Sequence, residues 1–210
     1  MAVALGVAGL LGTGAAFPLH SPATALALAP DALTRAHAIR AEVNARYRPL
    51  PGRRLVVTEA TSTEGVTMLT LMTADWLDGR VVPMDNGINF SICSARARCP
   101  YPARRAAWRV AAFMPRRQAL GLALRTLLET TVSLVVVSLP TAQPVWAVFE
   151  RDDLFANIDA PEVLDRLASS PAVIDFPLRE LVGRLTRPRL FAPAALGPDD
   201  SIVAVRLFGS

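Results

Sequence analysis

Residues 133–150 read SLVVVSLPTAQPVWAVFE, and this stretch decides the fold class. Leu134, Val135, Val136 and Val137 form an unbroken apolar run with Pro140 and Pro144 behind it. A run this short and this β-branched suits a strand covered on both faces, at the centre of a sheet. Val145 to Phe149, resuming after the second proline, is its expected neighbour. Upstream, Pro115 suits the first turn of a helix rather than its interior. The spacing then predicts a helix over 115–130 with Leu120, Leu124, Leu127 and Leu128 on one face, and Arg125 four residues before Glu129.

Further upstream the apolar runs are again short. Leu55 to Thr58 and Val66 to Leu71 flank the polar stretch Thr61–Gly65, while Arg80 to Val82 and Ile88 to Ile92 flank Asn86-Gly87, a pair suited to a tight hairpin turn. Residues 31–47 carry an apolar stripe at Leu33, Ala36, Ile39, Val43 and Tyr47, which predicts a helix capped by Asp31. Downstream, helical pieces are expected at 161–168 and 177–186, then a closing strand from Ile202 to Leu207. Strands that arrive in runs rather than alternating with helices give an α+β class. The expectation is a mainly antiparallel sheet of six or seven strands with helices packed on it, one domain over 31–210.

Composition excludes several chemistries. The 210 residues are 52% hydrophobic, enough for a core, and all 22 basic residues are arginine. Without lysine there is no Schiff-base cofactor and no phosphate-cradling P-loop or kinase lysine. If His20 is removed with an N-terminal signal segment, His37 and two cysteines are too few for a four-ligand zinc site unless another chain contributes. His37 falls on the polar flank of the first predicted helix, which suits a solvated side chain. No cofactor and no metal are expected.

Residues 1–27 carry no charge and are dominated by Ala, Gly, Leu and Val, followed by the small-x-small pattern Ala25-Leu26-Ala27. They read as a secretory signal cleaved near residue 27, or alternatively as an uncleaved membrane anchor. Cys93 and Cys99 sit close together before Pro100 and Pro102, and in an oxidising compartment they would form a short-loop disulfide. The two signals agree on a secreted or cell-envelope protein.

Charge is unevenly placed. Between Asp85 and Glu129 there are eight arginines and no acid; from Glu129 to Asp175 there are eight acids and two arginines. Arg96, Arg98, Arg104, Arg105 and Arg109 are therefore the candidate anion-binding residues, since a guanidinium recognises phosphate and carboxylate in bidentate fashion. The expected partner is an anionic envelope component or another envelope protein. Nucleic acid is disfavoured because aromatic residues are sparse among these arginines. The alternative is an envelope hydrolase working through a carboxylate pair, with Glu59, Glu150 and Asp152 as candidates and Asp75, Asp85 and Asp153 nearby in the pattern. The leading expectation is an exported binding or structural domain, not an enzyme.

Overall fold

The computed structural model describes residues 30–47, 55–63, 66, 68–73, 78–94, 112–141, 143–156, 158–168, 175–196 and 201–208. The chain begins with helix α1 (Pro30–Tyr47), then strands β1 (Leu55–Ser62), β2 (Met68–Met72), β3 (Gly79–Pro83) and β4 (Gly87–Ser94). Helix α2 (Phe113–Glu129) precedes β5 (Leu134–Ser138) and β6 (Trp146–Glu150). Three helices follow, α3 (Arg151–Phe155), α4 (Ala160–Ala168) and α5 (Phe176–Thr186), then a 3-10 turn (Arg187–Arg189), β7 (Leu190–Leu196) and β8 (Ile202–Arg206). All eight strands belong to one sheet, ordered β1-β4-β5-β6-β7-β8-β2-β3. Its β4–β5 and β2–β8 ladders are parallel and the other five antiparallel.

The α+β class stands, but the count of six or seven strands is corrected to eight. The strand that the periodicity does not show is β7. Pro193 interrupts its pattern, and its ladder to β8 slips between Pro193 and Ala195, the irregularity by which a sheet accommodates a residue without an N–H.

Register also corrects the hairpins. Leu55 lies opposite Ser94 and Ser62 opposite Ile88; the same progression continues with Met68 opposite Pro83 and Met72 opposite Gly79. Thus β1 with β2 and β3 with β4 are the two arms of one long hairpin. Its tip is closed by Thr73 N donating to Asp78 O at 2.7 Å. Asn86-Gly87 is not a two-residue hairpin turn: it marks a bend in the second arm, opposite Thr63 in the first. A Cβ on Gly87 would fall 2.5 Å from Thr63 Oγ1, and Thr63 is itself held there by donating its hydroxyl to Met84 O and its N–H to Gly87 O. Close approach, rather than a left-handed backbone, requires glycine at this position.

At its base this hairpin pairs with β5 through β4, and near its tip with β8 through β2. Strands β5 to β8 bridge the two, so the sheet closes on itself as six strands, each arm counting as one. Burial agrees. Leu69, Leu71, Val82, Met84, Leu134, Val136, Val148, Phe191 and Ala204 form one buried cluster. None of those residues lies on a helix, so the curled sheet itself shields them, as in a barrel interior. The opposite face, with Val57, Phe90, Val135, Val137, Ala147 and Phe149, joins the larger cluster under the helices. Hence β5 is apolar on both sides, as its sequence predicts.

α1 covers the free edge of β1. The Asn44 carboxamide donates to Val57 O at 2.9 Å and accepts from Val57 N at 2.7 Å, taking the place of a neighbouring strand. Asp31 lies inside the first turn of α1 rather than capping it. α1 is clamped to α2 by Arg35 on Glu129 and by Arg125 on Glu42, while Arg125 also pairs with Glu129 within α2. α2 begins two residues earlier than predicted and is the central helix, buried on nearly every side. Leu120, Leu124 and Leu127 are buried as expected, while Leu128 is 40% exposed.

Candidate functional site

Glu59 and Glu150 do not converge. Glu59 is exposed on β1, where the ladder to β4 slips. Through the rows Glu59–Ser91, Ser91–Ser138 and Ser138–Trp146 it lies level with Trp146, four residues from Glu150 on β6. That offset alone is roughly 13 Å along the strand, with β4 and β5 between, whereas paired glycosidase carboxylates stand about 5–9 Å apart. Glu150 is moreover engaged by both terminal nitrogens of Arg80. Asp152 and Asp153 lie in the first turn of α3 rather than capping it; Asp152 is exposed and Asp153 pairs with Arg189 at 2.6 Å. Asp85 occupies the bend before β4. Among the described residues no group of three or more His, Cys, Asp or Glu side chains could hold a metal ion. His37 is exposed on α1.

Arg96, Arg98, Arg104, Arg105 and Arg109 lie outside the described residues, as do Asp75, Cys99 and the apolar segment 1–27. Cys93 is buried at the end of β4, its Sγ 3.6 Å from Thr58 Oγ1. Among the described residues, no helix is long and apolar enough to cross a membrane.

A different set of arginines does converge. α5 starts at a well-formed cap: Asp175 Oδ1 accepts from Leu178 N at 2.7 Å, and Pro177 occupies the first turn. Leu178, Leu181, Val182 and Leu185 turn inward, and α5 packs on α2. The opposite side is left to Phe176, Arg179, Glu180 and Arg184, all exposed, with Arg187 following in the 3-10 turn. α4 buries Ala160, Val163 and Leu167 and leaves Arg166 outward. Between them lies an open cleft of about 730 Å³, whose charged lining among the described residues is Arg166, Arg179, Arg184 and Arg187 against the single acid Glu180.

α2 adds two further cations behind this wall. Arg116 donates to Ala112 O at 3.3 Å and to Thr186 Oγ1 at 3.4 Å; Arg117, fully buried, donates to Leu167 O at 3.0 Å. These bonds tie α2 to α5 and α4. The guanidinium groups of Arg117 and Arg179 each lie 5.9 Å from the centre of the Phe113 ring, a cation–π distance. Burial lowers the pKa of Arg116, and the positive charge of Arg187 pushes it the same way, the mark of cations crowded together.

Three of the acids on neighbouring segments are engaged elsewhere. Asp175 caps α5, Asp159 accepts from Glu162 N at 3.1 Å at the start of α4, and Asp153 is taken by Arg189. Among the described residues Arg179, Arg184 and Arg187 make no ion pair. Chemically, the arrangement offers several guanidinium forks to an anion. Sequence reasoning missed it because the charge count stopped at Asp175, so that Arg166 fell in an acidic stretch and Arg179, Arg184 and Arg187 lay beyond it. The usable signal was the recurrence of Arg179, Arg184 and Arg187 in and just after a predicted helix.

Comparison with protein-family models, with curated proteins and with solved structures finds no match.

Proposed function

We propose that this chain is a binding domain for an anionic ligand, working outside the cytoplasm, and that the cleft between α4 and α5 is its contact surface. One observation carries the reading: among the described residues, Arg179, Arg184 and Arg187 make no ion pair and line one cleft with Arg166 and a single acid, Glu180. Unneutralised arginines repel one another, and an anion relieves that repulsion while accepting charge-assisted hydrogen bonds. The extracytoplasmic placement is supported by the uncharged segment 1–27 and by the spacing of Cys93 and Cys99, whose pairing would close a short loop.

The test is a titration of labelled polyglutamate and polyphosphate at low and physiological salt. At low salt the wild-type chain binds at least one of them, and affinity falls as salt rises. The double variant Arg184→Gln/Arg187→Gln loses about tenfold or more in affinity, as the removal of charge-assisted hydrogen bonds implies. The pair Arg104→Gln/Arg105→Gln, in the segment singled out by charge counting, changes it little. Binding that depends on the second pair alone moves the contact surface away from α5; no binding at low salt removes the reading altogether.

A further inference from the structure

We infer that the occupant of the arginine cleft is an acidic peptide segment of a partner protein, carrying an apolar side chain among its carboxylates. The inference rests on the reading of this cleft as an anion site and goes on to name the chemistry of the ligand.

Four features of the cleft bear on that chemistry. The first is length. Arg179 on α5 and Arg187 in the 3-10 turn that follows stand eight residues apart, a helical rise of roughly 12 Å, so the cations are spread along the cleft. The second is Glu180 among those cations. A polymer bearing phosphate at every unit would set charge against this carboxylate, whereas a peptide brings backbone N–H donors between its acidic side chains and can satisfy it. The third is the apolar end. Phe176 is 77% exposed and borders the cleft with Pro177, so an apolar side chain of the ligand has a surface to cover there. The fourth is Gly183, part of the lining. A Cβ built there would find only Arg187 Nε, at 4.0 Å, and without one a main chain can approach α5 closely. Arginine in place of lysine adds to this, because its planar fork fits a carboxylate in bidentate fashion.

The experiment uses the full chain and three probes: a labelled peptide alternating Asp and Glu around one central Trp, the same peptide with Ser for Trp, and inorganic polyphosphate. The Trp peptide is expected to bind about tenfold more tightly than the Ser peptide, as burial of one large aromatic side chain implies. Phe176→Ser is expected to remove that difference while leaving the Ser peptide's affinity unchanged; being exposed, Phe176 can be replaced without disturbing the core. Glu180→Gln is expected to improve polyphosphate binding more than peptide binding. If both peptides and polyphosphate bind alike, and Phe176→Ser moves none of them, the peptide inference is overturned while the anion site survives. If no probe binds, or if Arg184→Gln/Arg187→Gln leaves every affinity unchanged, both the inference and the reading beneath it are overturned.

Discussion

Tyr47 closes the apolar stripe of α1, and burial pushes its phenol up to about 12, the nearby Arg117 charge opposing this only in part. The ordinary value is about 10. A folded-state pKa raised in this way means that the contribution of the neutral phenol is intact below pH ~10 and is lost as pH rises through about 12. Linkage puts the loss at about 1 kcal/mol by pH ~11, approaching 2–3 kcal/mol above pH ~12. Urea unfolding of wild type and Tyr47→Phe at neutral and alkaline pH checks this: the variant is expected to lose less stability between the two. Parallel losses would show that the phenol does not titrate with unfolding. Gln118 gives a second residue-scale test. It is 1% exposed on α2, and neither atom of its carboxamide has a hydrogen-bond partner. An unsatisfied buried amide costs about 1–3 kcal/mol, so Gln118→Leu is expected to raise Tm by about 2–4 °C for a chain of this size. A lower Tm would mean that the carboxamide has a role its surroundings do not display.

At the scale of elements, legibility followed how local the cause was. β5 was legible because both of its faces are apolar, one toward the curled interior and one toward the helices. α1 and α2 were legible from their stripes, though Asp31 lies inside α1 rather than capping it and α2 starts two residues before Pro115. β7 was not, because Pro193 hides the alternation and only its pairing with β8 makes it a strand. Asn86-Gly87 was legible as a place where the chain turns, but not as a bend in a long arm, since the reason for Gly87 is Thr63, over twenty positions away. That contact is testable. Gly87→Ala is expected to cost about 1–3 kcal/mol by overpacking, and Thr63→Ala in the same chain should recover part of it. The coupling in a double-mutant cycle reads the contact directly; additive effects would indicate that something other than Thr63 confines position 87.

At the scale of the whole molecule, the long hairpin and strands β5 to β8 close the sheet, and the helices cover one side of it. α2, central in that layer, brings α4 and α5 together through Arg117 and Arg116. This convergence is why the candidate site was hard to read in sequence: its arginines come from α4, α5 and the 3-10 turn, which meet only in the folded chain. The proposed export is a separate matter with its own check. In the secreting cell, the mature chain is expected to lack residues 1–27, and neither thiol should react with an alkylating reagent until a reductant is added; a full-length chain with reactive Cys93 and Cys99 would contradict it. The most direct measurement of the central claim is an NMR titration that follows the arginine Nε–Hε signals as an acidic peptide is added. The account predicts that the signals of Arg179, Arg184 and Arg187 move together and saturate, while those of Arg35, Arg80 and Arg189, already paired with carboxylates, stay in place. Shifts confined to other arginines, or no shifts, would contradict it.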